Sequence, residues 1–110
     1  MKDSKRELLQ GTLDLLILKT LATESLHGWG VAKRIQQASG DVLRINQGSL
    51  YPALYRLQDK GLIRAGWGES ADGRRVKLYS LTTAGKKRFK AASSDWRTVS
   101  TAVNDVLEMS

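Results

Sequence analysis

Asn46-Gln47-Gly48-Ser49-Leu50-Tyr51-Pro52-Ala53-Leu54-Tyr55-Arg56-Leu57-Gln58-Asp59-Lys60-Gly61 opens on cap residues, carries one apolar stripe and closes on glycine, the pattern of a helix. Leu50, Leu54 and Leu57 recur at spacings of four and three, which puts them on one buried face. Ser49, Tyr51, Tyr55 and Arg56 fall outside that face, where they can hydrogen-bond, stack and pair with anions. Gly61 suits the left-handed position just past a helix end. Asn46 or Ser49 can accept from the orphan N–H groups at its start. Pro52 carries no cost only in a first turn, which favours Ser49 as the cap; a start at Asn46 requires an early kink.

Upstream, Val42-Leu43-Arg44-Ile45 has the apolar character of a short edge strand leading into this helix. His27-Gly28-Trp29-Gly30 suggests a turn, and Val31, Ile35 and Ala38 then recur at helical spacing until Gly40 stops them. Lys33, Arg34, Gln36 and Gln37 form the polar side of that second helix, either a solvated face or a phosphate contact. His27 is the only histidine; without cysteine or clustered carboxylates it suits a cap or turn rather than a metal ligand or general base. Ser4 and Glu7 form a capping-box pattern before a first helix that ends near Glu24, with Gly11 its weak point. Leu9, Leu13, Leu16 and Ile17 share one face of it, while Leu8, Leu15 and Leu18 populate another. Either this helix is sunk deeply in its own domain or a second subunit covers the other face.

Downstream, Leu62 to Glu69 and Arg75 to Leu81 alternate as strands, with Ile63, Ala65 and Trp67 inward in the first and Val76, Leu78 and Ser80 in the second. Asp72-Gly73 between them is a hairpin signal, since both residues tolerate positive φ. Arg74, Arg75 and Lys77 then lie at or near the tip, where they either probe phosphates or blunt edge pairing. After a cap at Thr82 or Thr83, Phe89, Ala92, Trp96, Val99, Val103 and Val106 alternate steps of three and four, a heptad seam. From Thr83 to Leu107 this helix spans about 37 Å at 1.5 Å per residue, too long for the small domain before it to cover.

At 110 residues the chain suits one domain. It has 18 Lys plus Arg against 11 Asp plus Glu and a net charge of +7, which points to a polyanionic partner. The charge is regional: residues 27–90 hold 13 basic and 4 acidic side chains, net +9, and the flanks are net −2. Cysteine is absent, which excludes disulfides and thiolate metal sites and fits a reducing cytoplasm. Leu13 to Ala22, interrupted by Asp14, Lys19 and Thr20, is about half of a ~20-residue membrane span, and the amino terminus lacks the pattern of a signal peptide. The expectation is a cytoplasmic protein without a membrane partner. No carboxylate pair, nucleophile with base, or phosphate-cradling glycine loop occurs at useful spacing, so no catalytic residue, metal or cofactor is expected and the chain is not an enzyme.

The fold class that follows is mainly α with a small β-hairpin: a winged helix-turn-helix with a long C-terminal dimerisation helix. Residues 1–82 form the winged-helix part, residues 1–24 also serving the dimer interface, and residues 83–110 the dimerisation helix, packed within the same single domain. In that order of elements the third helix fits a major groove and the hairpin reaches the neighbouring backbone. The DNA-binding candidates are Lys33, Gln47, Gly48, Ser49, Tyr51, Pro52, Tyr55, Arg56, Arg74, Arg75 and Lys77, with Gln47 and Ser49 nearest the base edges. The competing class is a winged-helix module that binds an acidic protein, since fold does not fix partner.

The chain also resembles the PadR-type (phenolic acid decarboxylase regulator) transcriptional regulators, in the small class with one carboxy-terminal helix. The resemblance rests on Gly11-Thr12-Leu13, His27-Gly28-Trp29-Gly30, the run Gly48 to Leu57, Gly61-Leu62-Ile63 and Leu81-Thr82-Thr83-Ala84-Gly85. It implies a dimeric repressor whose winged helices bind an operator repeat and whose last helices hold the dimer through Phe89, Ala92, Trp96, Val99, Val103 and Val106. It also implies a flat aromatic or amphipathic ligand held between subunits against Trp96. By helical spacing Leu8, Gly11 and Leu15 line the facing wall with Val99 beside the ring; the alternative is a Trp96 that simply fills the dimer core. Two departures stand out: Trp29 replaces the family's usual tyrosine, and Leu78-Tyr79 stands where two tyrosines are frequent.

Overall fold

The computed structural model describes the backbone from Lys2 and the side chains from Gly11. The Ser4–Glu7 capping pattern and the side chains of Leu8 and Leu9 lie outside the described residues. The elements are α1 (Lys2–Thr23), β1 (Leu26–His27), α2 (Gly28–Ala38), α3 (Gln47–Asp59), β2 (Ile63–Glu69), β3 (Arg75–Leu81) and α4 (Thr83–Leu107). The strands form one antiparallel sheet in the order β1-β3-β2. This is a winged helix followed by a long carboxy-terminal helix.

Ile17 of α1, Val31 of α2, Leu50, Leu54 and Leu57 of α3 and Ile63 of β2 are fully buried at the centre. Each such side chain contributes about 1.5–3 kcal/mol by leaving water. On α1, Leu13, Leu18 and Leu21 join them. Leu18 therefore belongs to the chain's own core and not to an outer face, whereas Leu15 is half-exposed.

Three local expectations are corrected. Residues 42–45 form no strand: the Leu43 N–H donates to the Ser39 hydroxyl at 2.9 Å, and Leu43 and Ile45 plug the core from a loop. The third strand is Leu26–His27 instead, paired with Tyr79 and Leu78. Gly28 to Gly30 are not a free turn but the first turn of α2, whose cap is the His27 ring accepting from the Gly30 N–H at 3.0 Å. Finally, α3 is capped by Asn46, whose side-chain oxygen accepts from the Ser49 N–H at 2.9 Å. Pro52 thus sits inside the helix and removes the bond to the Gly48 carbonyl. Both residues are exposed, where water can serve that carbonyl.

The hairpin follows its expected limits, but only Gly73 is left-handed, at φ +81°. Its N–H donates to the Ser70 carbonyl at 3.0 Å and the Ser70 N–H to the Arg74 carbonyl at 2.8 Å, closing the three-residue turn Ala71-Asp72-Gly73. The register pairs Ile63 with Leu81, Ala65 with Tyr79, Trp67 with Lys77 and Glu69 with Arg75. Directly paired residues share a face, so the inward residues of β3 are Tyr79 and Leu81, and Val76, Leu78 and Ser80 lie on the other side. At the start of α4 the Thr82 hydroxyl accepts from the Gly85 N–H at 3.0 Å and donates to the Gly61 carbonyl at 2.7 Å. That cap ties α4 to the α3–β2 corner.

Candidate nucleic-acid interface

Because Leu50, Ala53, Leu54 and Leu57 hold one side of α3 in the core, the helix turns Gln47, Gly48, Ser49, Tyr51, Pro52 and Tyr55 outward, all of them exposed. The Tyr51 ring leans on the start of α2. A Cβ at Gly28 would come within 3.0 Å of Tyr51 Cε1 and 3.2 Å of its hydroxyl, so glycine makes room for the ring and α2 fixes its direction. Lys33 is exposed on α2.

Arg56 departs from the outward set. Its Nη2 donates to Asp14 Oδ1 of α1 at 2.8 Å, and both side chains are largely shielded. Arg56 therefore braces α3 against α1 rather than standing free. A partner 42 residues away leaves no periodic trace in the sequence.

On the wing, the inner face of the sheet continues past the core as a ladder of rings and cations. The Arg75 guanidinium lies 4.8 Å from the centroid of the Trp67 ring, and the Lys77 ammonium 5.9 Å from that of Tyr79. Such contacts contribute about 0.5–1 kcal/mol at exposed sites and hold a flexible cation in one direction. Tyr79 is 6 % exposed; its burial, and then the proximity of Tyr51, push its phenol above the ordinary range. Arg74 stands at the tip 3.6 Å from Asp72, an exposed pair of little energetic weight. The Ser70 hydroxyl holds the Asp72 carboxyl below its usual range. Trp67 is the functional candidate that sequence reasoning missed. Its signal was the hairpin itself, since the register that Asp72-Gly73 imposes sets Trp67 opposite Lys77.

The expected seam divides. Phe89 is half-buried against the chain's own core with the Lys19 ammonium 5.7 Å over its ring, so it is an internal contact and not a free interface residue. Ala92 is half-buried, while Trp96, Val99, Val103 and Val106 are exposed along one side of α4. Of the wall expected to face Trp96, Gly11 is exposed and Leu15 half-exposed; the Leu8 side chain lies outside the described residues. Among the described residues no cluster of His, Cys, Asp or Glu could hold a metal, and no helix is long and apolar enough to cross a membrane.

The sequence model of the transcriptional regulator PadR-like family matches residues 17–91. A transcriptional regulator of Mycobacterium tuberculosis, Rv3488, is 32 % identical over 93 % of this chain and 89 % of its own length. The crystal structure of a PadR-like transcriptional regulator from Bacillus cereus superposes with a TM-score of 0.82 at 28 % identity, covering 94 % of this chain and 99 % of that one. A transcriptional regulator from Clostridium thermocellum superposes at 0.80 with 26 % identity over 90 % and 96 %.

Proposed function

We propose that this chain, which belongs to the PadR-like family of transcriptional regulators, is a homodimeric repressor that reads a two-fold operator repeat with α3 and grips its backbone with the wing. The observation that carries the reading is the ladder Trp67, Arg75, Lys77 and Tyr79, which aims two cations from the sheet on the side where Tyr51 lines α3. Gln47 and Ser49, in the first exposed turn of α3, act as base readers; Lys33 and Arg74 add phosphate attraction. The exposed Trp96, Val99, Val103 and Val106 are covered by a second chain, since an apolar stripe of this length is unusual on a monomer. Residues 1–82 then form the reading part and residues 83–110 the dimerising part of one domain. A planar aromatic molecule against Trp96, between Gly11, Leu15 and Val99, relieves repression.

Selection of duplexes from a random pool tests the core of this proposal. Recovery of a two-fold repeat with half-site centres about 10 base pairs apart, or a multiple, is the expected result. The affinity should fall steeply with salt. An acidic-protein module would select no duplex. Titrating planar aromatic cations while following tryptophan emission, with Trp96→Ala as control, tests the ligand; equal quenching in both proteins would assign Trp96 to the dimer core alone.

A further inference from the structure

His27 is the only histidine, and the chain has no cysteine. Its ring is therefore the one side chain here of a type that ordinarily changes charge between about pH 5 and 8. It stands where three elements meet. Nδ1 accepts from the Gly30 N–H at 3.0 Å and closes the first turn of α2. The half-buried ring packs on Gly30, where a Cβ would lie 3.4 Å from Cε1. The His27 backbone pairs with Leu78 of β3, a strand of the wing. The next residue, Gly28, is buried and leaves the space that the Tyr51 ring of α3 fills. One cap thus fixes the start of α2 against both elements of the proposed DNA surface.

We propose that His27 is a proton switch: neutral, it caps α2 and holds α3 and the wing in their reading arrangement; protonated, it releases the first turn of α2 and lowers operator affinity. An imidazole accepts at Nδ1 only while that nitrogen carries no proton, and the cationic ring has N–H on both nitrogens. A proton therefore competes with the Gly30 N–H, so the cap holds at higher pH and is lost as pH falls. The cation would also face the positive end of the α2 dipole. No acidic residue in the first turn of α2 offsets that charge, and the first charged residues of the helix, Lys33 and Arg34, are themselves cations. That turn holds two glycines, Gly28 and Gly30, and is weak without its cap. From the other elements come Tyr51 of α3, Tyr79 of β3 and Lys77, whose ammonium lies over the Tyr79 ring; phenols and amines keep their charge state below about pH 8. Glu24 is exposed on the segment before β1. In the wing turn Asp72, paired with Arg74 at 3.6 Å, is the carboxylate that an imidazolium attracts; the Ser70 hydroxyl is the main cause of its low carboxyl range and His27 the least. The effect on the operator, though not the cap, rests on the DNA reading. Its sign is diagnostic: a positive charge added near phosphates strengthens binding, whereas a lost cap weakens it.

The test measures affinity of the untagged full chain for the selected duplex at about pH 7.5 and about pH 5.5, either side of the imidazole range, at one ionic strength. Exchange of the Gly30 amide is followed in the free protein under the same conditions. Wild-type affinity should fall about fivefold at the lower pH, the equivalent of one helix cap, and Gly30 should lose protection by a similar factor. His27→Asn supplies a side-chain oxygen that caps without titrating and should bind alike at both pH values. His27→Ala, without a cap, should bind weakly at both. Wild-type affinity that is flat or rises at the lower pH overturns the switch, as does a His27→Asn protein that keeps the wild-type fall. Equal Gly30 protection at both pH values overturns the release of the cap, and that measurement needs no variant to fold. A protein that selects no duplex refutes the DNA reading and with it the operator effect, while the Gly30 amide still decides the cap.

Discussion

Replacing Gly85 by alanine should dislodge α4 from the winged helix. A Cβ there would lie 2.0 Å from the Leu62 carbonyl oxygen and 2.8 Å from Leu81 Cδ1. The tightest ordinary C···O contacts are about 3.3 Å, so the helix start must retreat by more than about 1 Å, and the obstacle is backbone. Overpacking of this kind costs about 1–3 kcal/mol. The retreat also strains the Thr82 bonds to Gly61, Leu62 and Gly85, at 2.7, 3.1 and 3.0 Å, each worth about 1 kcal/mol net. Against this stands a gain of about 0.5–1 kcal/mol for removing a helical glycine. The net loss is about 2–4 kcal/mol, or a fall in Tm of roughly 10–25 °C for a domain of this size. Thermal and urea unfolding followed by circular dichroism at fixed chain concentration would measure it. Gly11→Ala is the control: nothing lies within 4 Å of its Cβ, and it should unfold at or slightly above the wild-type midpoint. A Gly85→Ala protein within about 0.5 kcal/mol of wild type, inside the scatter of neutral surface changes, would refute the packing argument. Because this junction also sets the direction in which α4 leaves the wing, the folded fraction of the variant should prefer a different half-site spacing.

Arg75→Ala should weaken all duplexes alike and make the salt slope shallower by about one, whereas replacing Gln47 should relax preference by about 1–3 kcal/mol at a single base pair; competition assays across salt concentrations distinguish them. Val103→Asp should place an unpaired charge in the proposed dimer seam and release monomers, so an intact dimer by sedimentation would remove α4 from the interface. Tyr79 should ionise above the ordinary phenol range in a spectrophotometric titration, and Tyr79→Phe should abolish that late component. With its folded pKa raised, Tyr79 contributes stability that is fully present below the ordinary phenol value of 10.0 and is lost as pH rises through the higher folded value.

What was legible in the sequence is what local spacing determines. The stripe Leu50, Leu54, Leu57 located α3, although the favoured cap, Ser49, stands three residues past the observed cap Asn46, and Asp72-Gly73 located the hairpin. Long-range pairing escaped. Leu26–His27 is too short to show a period and becomes a strand only because β3, some fifty residues later, lies alongside it. Leu43 and Ile45 imitate a strand by alternating, yet they alternate because a loop passes two plugs into the core. The phase of β3 was ambiguous since apolar residues occupy both faces, Val76 and Leu78 on one and Tyr79 and Leu81 on the other. At the site, exposure of the α3 residues followed from the stripe. The capture of Arg56 by Asp14 and the support of Arg75 by Trp67 required the register of distant elements.

In the proposed dimer, the stripe Trp96, Val99, Val103 and Val106 would also make the protein a gauge of its own abundance. A lone chain leaves this surface in water, so two chains share their stability by mass action. At levels below the dimer dissociation constant, halving the number of chains reduces the dimers about fourfold. If operator binding needs that dimer, cell division or a pulse of proteolysis would clear the operator more sharply than the loss of protein alone suggests.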